Sequence, residues 1–214
     1  MVLAAVAAEI LAAAVRRVVG KWVSWNQPFN QERQRTMPLF TAKLQLLARH
    51  LWMDADDSRR AISPAVLRSL ASHVAVSEQR HSGEIRICVE AGLPISDVLR
   101  LDADGNTLPR LIRQRAVTVF GALQVWDTEH NNGVLIYLLL AEHAIEIVAD
   151  RGLVRCVPQA EFDALTAHMA AQFKAGAYEA GLMQAVDAVA ALLLAHFASN
   201  VVNANAMPDM PVLQ

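Results

Sequence analysis

The sequence predicts an α/β protein: a three-layer α/β/α sandwich around a small mixed sheet of three to four strands. Three observations carry this reading. Glu84-Ile-Arg-Ile-Cys-Val-Glu90 alternates, with Ile85, Ile87 and Val89 on one side, which is the two-residue period of a strand. Gly133–Ala141 and Ala144–Ala149 are short apolar runs joined by Glu142-His143, which reads as a hairpin. Segments with helical spacing lie before, between and after these runs. Strand, helix, strand implies a right-handed parallel crossover, and the hairpin then sets the third strand antiparallel to the second.

Each element has its own local cause. A short apolar helix is expected over Phe40–Trp52, with Leu44, Leu47 and Trp52 near helical spacing. Ser63-Pro64 opens a helix, with serine as N-cap and proline in the first turn. That helix carries Val66, Leu70 and Val74 and is expected to run to Gly83. Ala91–Asn106 reads as a loop, with turns at Gly92/Pro94 and at Asp102-Ala-Asp-Gly105. Thr107–Trp126 reads as a helix lined by Ile112, Ala116, Phe120 and Leu123. Gly152–Val157 is a candidate fourth strand. Pro158–Lys174 places Phe162, Leu165, Met169 and Phe173 inward and stops at Gly176, and Tyr178–Phe197 is a nearly all-apolar helix suited to deep packing. From Ser199 on, Asn203, Asn205, Pro208 and Pro211 suggest a flexible tail.

The domain plan follows: an apolar, basic extension over 1–36, a helical lead-in over 37–62, an α/β domain over 63–198 and a tail over 199–214. Residues 1–36 hold five Lys/Arg against two Asp/Glu, and the remainder 14 against 19. The Gln/Asn/Arg-rich stretch Trp25–Thr36 marks the break, directly before Met37. Either the first 36 residues form a basic amphipathic helix and linker, suited to peripheral membrane contact through residues 1–20 or to a partner groove, or the protein starts at Met37. The composition break favours the second.

Composition narrows the function classes. In 214 residues the hydrophobic fraction is 54% and the net charge −2, which supports a filled core and argues against general nucleic-acid binding. The apolar runs Val134–Ala141 and Ala188–Ala195 are shorter than the roughly 20 residues of a spanning helix. The order of charges around Met1–Val15 is the reverse of a secretory signal. Cys88 and Cys156 form neither a metal-type pair nor a disulfide framework, so a cytoplasmic location is expected. Motifs for phosphate loops, dinucleotide folds, nucleophile elbows, zinc helices and paired cysteines are all missing from the sequence.

The densest polar run is Trp126-Asp-Thr-Glu-His-Asn-Asn-Gly133, which opens into an apolar strand. Its alternating oxygens at Asp127, Glu129 and Asn131 resemble the front of a calcium loop, without the glycine spacing or closing glutamate of an EF-hand. A capped helix-to-strand turn explains the same residues. Topology adds weight: the starts of strands one and two and the end of strand three fall on one sheet edge. That edge gathers His81-Ser82-Gly83-Glu84, Asp127–Gly133 and Asp150-Arg151-Gly152. Hard oxygen ligands beside a cation suit a metal or phosphoester site, and an Arg151 contact bracing the loops is the bland alternative. Asp102-Ala-Asp-Gly-Asn106 reads as a turn. His50, His73, His168 and His196 read as ordinary helix histidines, and Arg110, Arg113 and Arg115 as a solvated helix face.

Gly83-Glu84-Ile85, Asn131-Asn132-Gly133-Val134-Leu135-Ile136 and Asp150-Arg151-Gly152-Leu153 resemble the TPM domain, over roughly Ala61 to Phe197. Arg80-His-Ser-Gly-Glu-Ile and Val125-Trp-Asp-Thr-Glu-His-Asn-Asn-Gly-Val-Leu-Ile are similar to a short bacterial subgroup. The resemblance implies an α/β sandwich, divalent-metal binding (calcium in some members) and weak phosphatase activity in some members. Where members commonly carry Gly-Tyr-Gly after the third strand, this chain has Asp150-Arg151-Gly152. The expectation is a divalent ion, Ca²⁺ first, on Asp127, Glu129 and Asp150, with Asn131 or Asn132 adding a carbonyl. Arg151 would contact phosphate, and His130 or His81 would donate a proton. The competing expectation is a non-enzymatic adaptor for a protein partner, at the membrane or away from it.

Overall fold

The computed structural model describes residues 46–51, 53, 58–59, 61–101, 107–174, 177–199 and 207–214. The extension over 1–36, most of the 37–62 lead-in, the Asp102–Asn106 turn and Gly176 lie outside the described residues. Everything below concerns the compact unit Leu47–Gln214.

In chain order the elements are α1 (Pro64–Glu78), β1 (Ile85–Glu90), α2 (Ile95–Leu99), α3 (Leu108–Ala122), β2 (Val134–Leu139), a 3₁₀ turn (Leu140–Glu142), β3 (Ala144–Ala149), α4 (Arg151–Val154), α5 (Gln159–Lys174), α6 (Tyr178–Phe197) and β4 (Val212–Leu213). The sheet order is β3-β2-β1-β4. β1 pairs parallel with β2, Ile85 opposite Val134, and parallel with β4, Cys88 opposite Val212. β2 and β3 pair antiparallel, Val134 opposite Ala149. The mixed sheet with its parallel crossover is the one the sequence predicts.

Two faces of the sheet are covered, and this explains the composition of the strands. Ile85, Ile87, Val89, Val134, Ile136, Leu138, Ile145 and Ile147 share a core with Leu70 and Val74 of α1, Phe162, Met169 and Phe173 of α5, and Leu182, Val186, Val189 and Leu193 of α6. The alternate positions Cys88, Leu135, Tyr137, Leu139 and Val148 are also buried, together with Leu111, Ile112, Ala116 and Val119 of α3. All six residues of β1 and of β2 are therefore buried. A strand enclosed on both faces reads as a near-continuous apolar run, as β2 does.

Four local expectations need correction. Gly152–Val157 is not a strand. Asp150 Oδ1 accepts the Arg151 N–H at 2.6 Å and caps α4, so the chain turns into a helix at that point. The fourth strand comes instead from the segment read as a flexible tail. Gln214 N–H donates to Val89 O and Ala91 N–H to Gln214 O, both at 2.9 Å, which satisfies backbone groups on the β1 edge. The 91–106 loop contains α2, and the helices expected to reach Gly83 and Trp126 end at Glu78 and Ala122. Arg110 and Arg113 are exposed, as expected of a solvated helix face, but Arg115 is drawn inward from it. Arg113 Nη1 donates to Ile147 O at 2.6 Å, and Arg115 forks onto Glu90.

α6 is long and apolar enough, by length and composition, to cross a membrane, although the expectation placed no such segment in the chain. In this fold it packs against α1, α5 and β1, with seven of its twenty residues buried.

Candidate functional site

Because β1, β2 and β4 run parallel and β3 runs against them, one sheet edge collects three strand starts and one strand end. The loop entering β2 is built by backbone turns. Asp127 N–H donates to Gln124 O at 2.9 Å and Asn131 N–H to Thr128 O at 3.2 Å. Thr128 Oγ1 accepts the Asn132 N–H at 3.0 Å. Gln124 and Asn131 take left-handed conformations, φ 55° and 53°, which asparagine tolerates better than most residues.

The three segments meet by hydrogen bonds. Asn131 Oδ1 accepts from Arg151 Nε at 2.9 Å and Nη2 at 2.6 Å, and Asn131 O accepts the Gly152 N–H at 2.8 Å. Asn132 Nδ2 donates to Ser82 Oγ at 3.1 Å. The Gly152 backbone lies so close to this loop that a Cβ would fall 2.5 Å from the carbonyl oxygens of His130 and Asn131. Glycine is what lets α4 approach.

The predicted residues divide into three sets. Asp127, Glu129 and His130 are exposed on the loop. Asn131 is joined to the Arg151 side chain as described, while Asp150 Oδ1 is taken by its own helix and Asp150 Oδ2 is buried without a hydrogen bond. Asn132 and His81 are buried. His81 Nδ1–H donates to Gly83 O at 3.0 Å, and burial holds its imidazole below the usual histidine range; Nε2 is enclosed without a hydrogen bond. Among the described residues, no three His, Cys, Asp or Glu side chains converge as a metal-binding group.

Sequence reasoning missed two polar clusters. Glu78, at the end of α1, accepts the Ile85 N–H on Oε1 at 2.7 Å, while Oε2 is buried without a hydrogen bond. Burial, with Glu84 and Asp209 nearby, pushes its carboxyl up to about 8. Burial lowers the Arg86 guanidinium, opposed by the neighbouring Asp209 and Glu78 carboxyls. At the far end of β1, Glu90 accepts two hydrogen bonds from Arg115 Nε, at 3.1 and 2.9 Å, one from Arg115 Nη2 at 2.6 Å and one from the Tyr137 hydroxyl at 2.6 Å. Arg86 and Glu90 inside an otherwise apolar strand were the visible signal: a charged residue in a strand buried on both faces needs a partner.

A family model, the TPM domain, matches residues 55–192. The chain belongs to the TPM domain family. The solved structures include a similar fold, the NMR structure of the BA42 protein from the psychrophilic bacterium Bizionia argentinensis. Its TM-score is 0.59 at 22% sequence identity, covering 71% of this chain and 94% of that one. A search of curated proteins finds no match. This TPM domain keeps the three glycine-bearing segments of the resemblance at one edge of its sheet, joined through Asn131, Asn132, Ser82, Arg151 and Gly152.

Proposed function

We propose that this TPM domain binds a divalent cation at the 127–133 loop and acts as a binding module rather than by turnover. The observation that supports this reading is the division of labour at the edge. Asn131 and Arg151 hold one another across the loop, whereas Asp127 and Glu129 are carried on its exposed side. A braced loop presents carboxylates without the ordering cost of a free one. The donor set is hard oxygen, which suits Ca²⁺ rather than Zn²⁺. With two acidic side chains and no group of three, water and backbone carbonyls would complete the shell. Ligand charge count tunes such sites, so an affinity at the weak end is expected, about 10⁻⁴–10⁻³ M. Arg151 already holds Asn131, which argues against a phosphate-clamping role for it.

Titration calorimetry with Ca²⁺, Mg²⁺, Mn²⁺ and Zn²⁺ tests the reading, alongside hydrolysis of an aryl phosphate. The expected result is Ca²⁺ binding that Asp127→Asn with Glu129→Gln abolishes, and no turnover with any of the four ions. Binding that survives the double substitution, or no binding at all, would overturn the site. Metal-dependent turnover lost on His81→Gln or His130→Gln would replace the module with a phosphatase.

A further inference from the structure

The segment 207–214 joins the sheet through a short strand at its end. β4 is two residues long and pairs with β1 at Cys88↔Val212 and Val89↔Leu213. Beyond that pairing, Gln214 makes two further backbone bonds of 2.9 Å, with Val89 and Ala91. Ser58 Oγ adds a donor to Gln214 O at 3.1 Å, and Leu213 packs against the main core. Pro211, just before the strand, is buried.

Ahead of these anchors the segment passes a concentrated set of charges. Asp209 lies beside Glu78 and Arg86, and Glu84 stands at the start of β1. The groups facing Glu78 are thus Glu84 and Arg86 from the β1 side and Asp209 from the segment itself. Ionising Glu78 adds a carboxylate beside those of Glu84 and Asp209, with its Oε2 buried, whereas the neutral carboxyl can share its proton with Asp209. Of the three acids, Asp209 alone lies on segment 207–214, outside the helices and the three longer strands.

We propose that segment 207–214 is a releasable strap, and that ionisation of Glu78 weakens its hold on the β1 edge. The docked segment places Asp209 beside Glu78, which favours the protonated carboxyl there. Docking therefore favours the protonated form, and by linkage the protonated form favours docking. The docked value of about 8 lies above the usual 4.5. A raised acid contributes in full below its unperturbed value, and that contribution is lost as pH rises through the raised one. The strap is thus tightest in acid, loosens toward pH 8 and is weakest above it. Its release uncovers the Val89 and Ala91 backbone groups and the seat of Leu213.

Amide hydrogen exchange by mass spectrometry on the full chain tests this at pH 6.5 and pH 9. Wild type is compared with Glu78→Gln at each pH, so that the intrinsic chemical rate cancels. Glutamine keeps the acceptor for Ile85 and cannot ionise. Each pKa unit contributed by docking changes the docking constant tenfold. The expected result is that peptides covering 207–214 and Ala91 exchange at least about tenfold faster in wild type at pH 9, with a smaller excess at pH 6.5. Asp209→Asn, which removes the opposing charge from the strap itself, should likewise abolish the excess at pH 9; it carries the test if Glu78→Gln does not fold. A wild-type to variant ratio that is the same at both pH values would overturn the proposal. Loss of calcium binding at the 127–133 loop would leave it standing.

Discussion

Replacing Tyr137 by Phe removes one hydroxyl and changes nothing else in the shape of the β2–α3 interface. That hydroxyl donates to Glu90 Oε2 at 2.6 Å, and both residues are buried, Tyr137 at 0% and Glu90 at 4% exposure. A hydrogen bond to a charged group contributes about 1.5–3 kcal/mol. Glu90 keeps its fork from Arg115, so the carboxylate is not stranded, and a loss of about 2 kcal/mol is expected. For a domain of this size about 2–4 °C of melting temperature accompanies each kcal/mol, so the transition should fall by roughly 4–8 °C. Arg115→Leu removes the counter-charge and should cost more, about 3–5 kcal/mol, since it leaves a buried carboxylate without its cation. Urea unfolding of wild type, both single variants and the double variant closes a cycle, and a coupling near 1 kcal/mol is expected for residues sharing one acceptor. A Tyr137→Phe loss under about 0.5 kcal/mol, or strict additivity, would refute the view that the three side chains act as one unit.

Two further outcomes follow from close approaches and from the loop brace. A Cβ at Gly133 would lie 1.8 Å from Val125 O, so Gly133→Ala should lose more than about 3 kcal/mol in a thermal melt, whereas Gly121→Ala, with open space around it in α3, should gain about 0.5–1 kcal/mol. Arg151 is exposed and bonded to Asn131, so Arg151→Ala should cost about 1 kcal/mol or less by urea unfolding and leave calcium binding to Asp127 and Glu129 unchanged; a cation affinity that falls tenfold would move Arg151 from brace to site.

The sheet was legible in the sequence to the extent that pattern and burial agree. Ile85, Ile87 and Val89 alternate because one face of β1 meets α1 and α6, and the 134–139 run is wholly apolar because β2 is enclosed on both sides. Ser63-Pro64 marked the start of α1 by its chemistry. β4 was not legible because two residues carry no period; Val212 and Leu213 are a strand solely because β1 offers an unpaired edge. Gly152–Val157 was misread because its aliphatic residues suit a strand, while the decisive signal was Asp150, an N-cap directly before it. At the candidate site, topology brought the three polar segments together as the sequence implied. Glu78 and Asp209 remained hidden, since a helix end and a proline-bearing tail 131 positions apart share no local pattern. Arg86 was the clue that such partners had to exist.

The register pair Cys88↔Val212 spans 124 positions of chain. At about 5–20 residues per second of synthesis, β1 waits roughly 6–25 s for its second neighbour, whereas β3 follows β2 almost at once through a four-residue connection. During that interval the ribosome-borne intermediate exposes the flank of β1, the hazard that sheet proteins guard against with charge. Arg86 and Glu90 bracket Ile-Cys-Val within this strand, while β2, which pairs promptly, carries no charge at all. Charges that flank an apolar stretch oppose such pairing, and Arg86 and Glu90 hold those positions on β1.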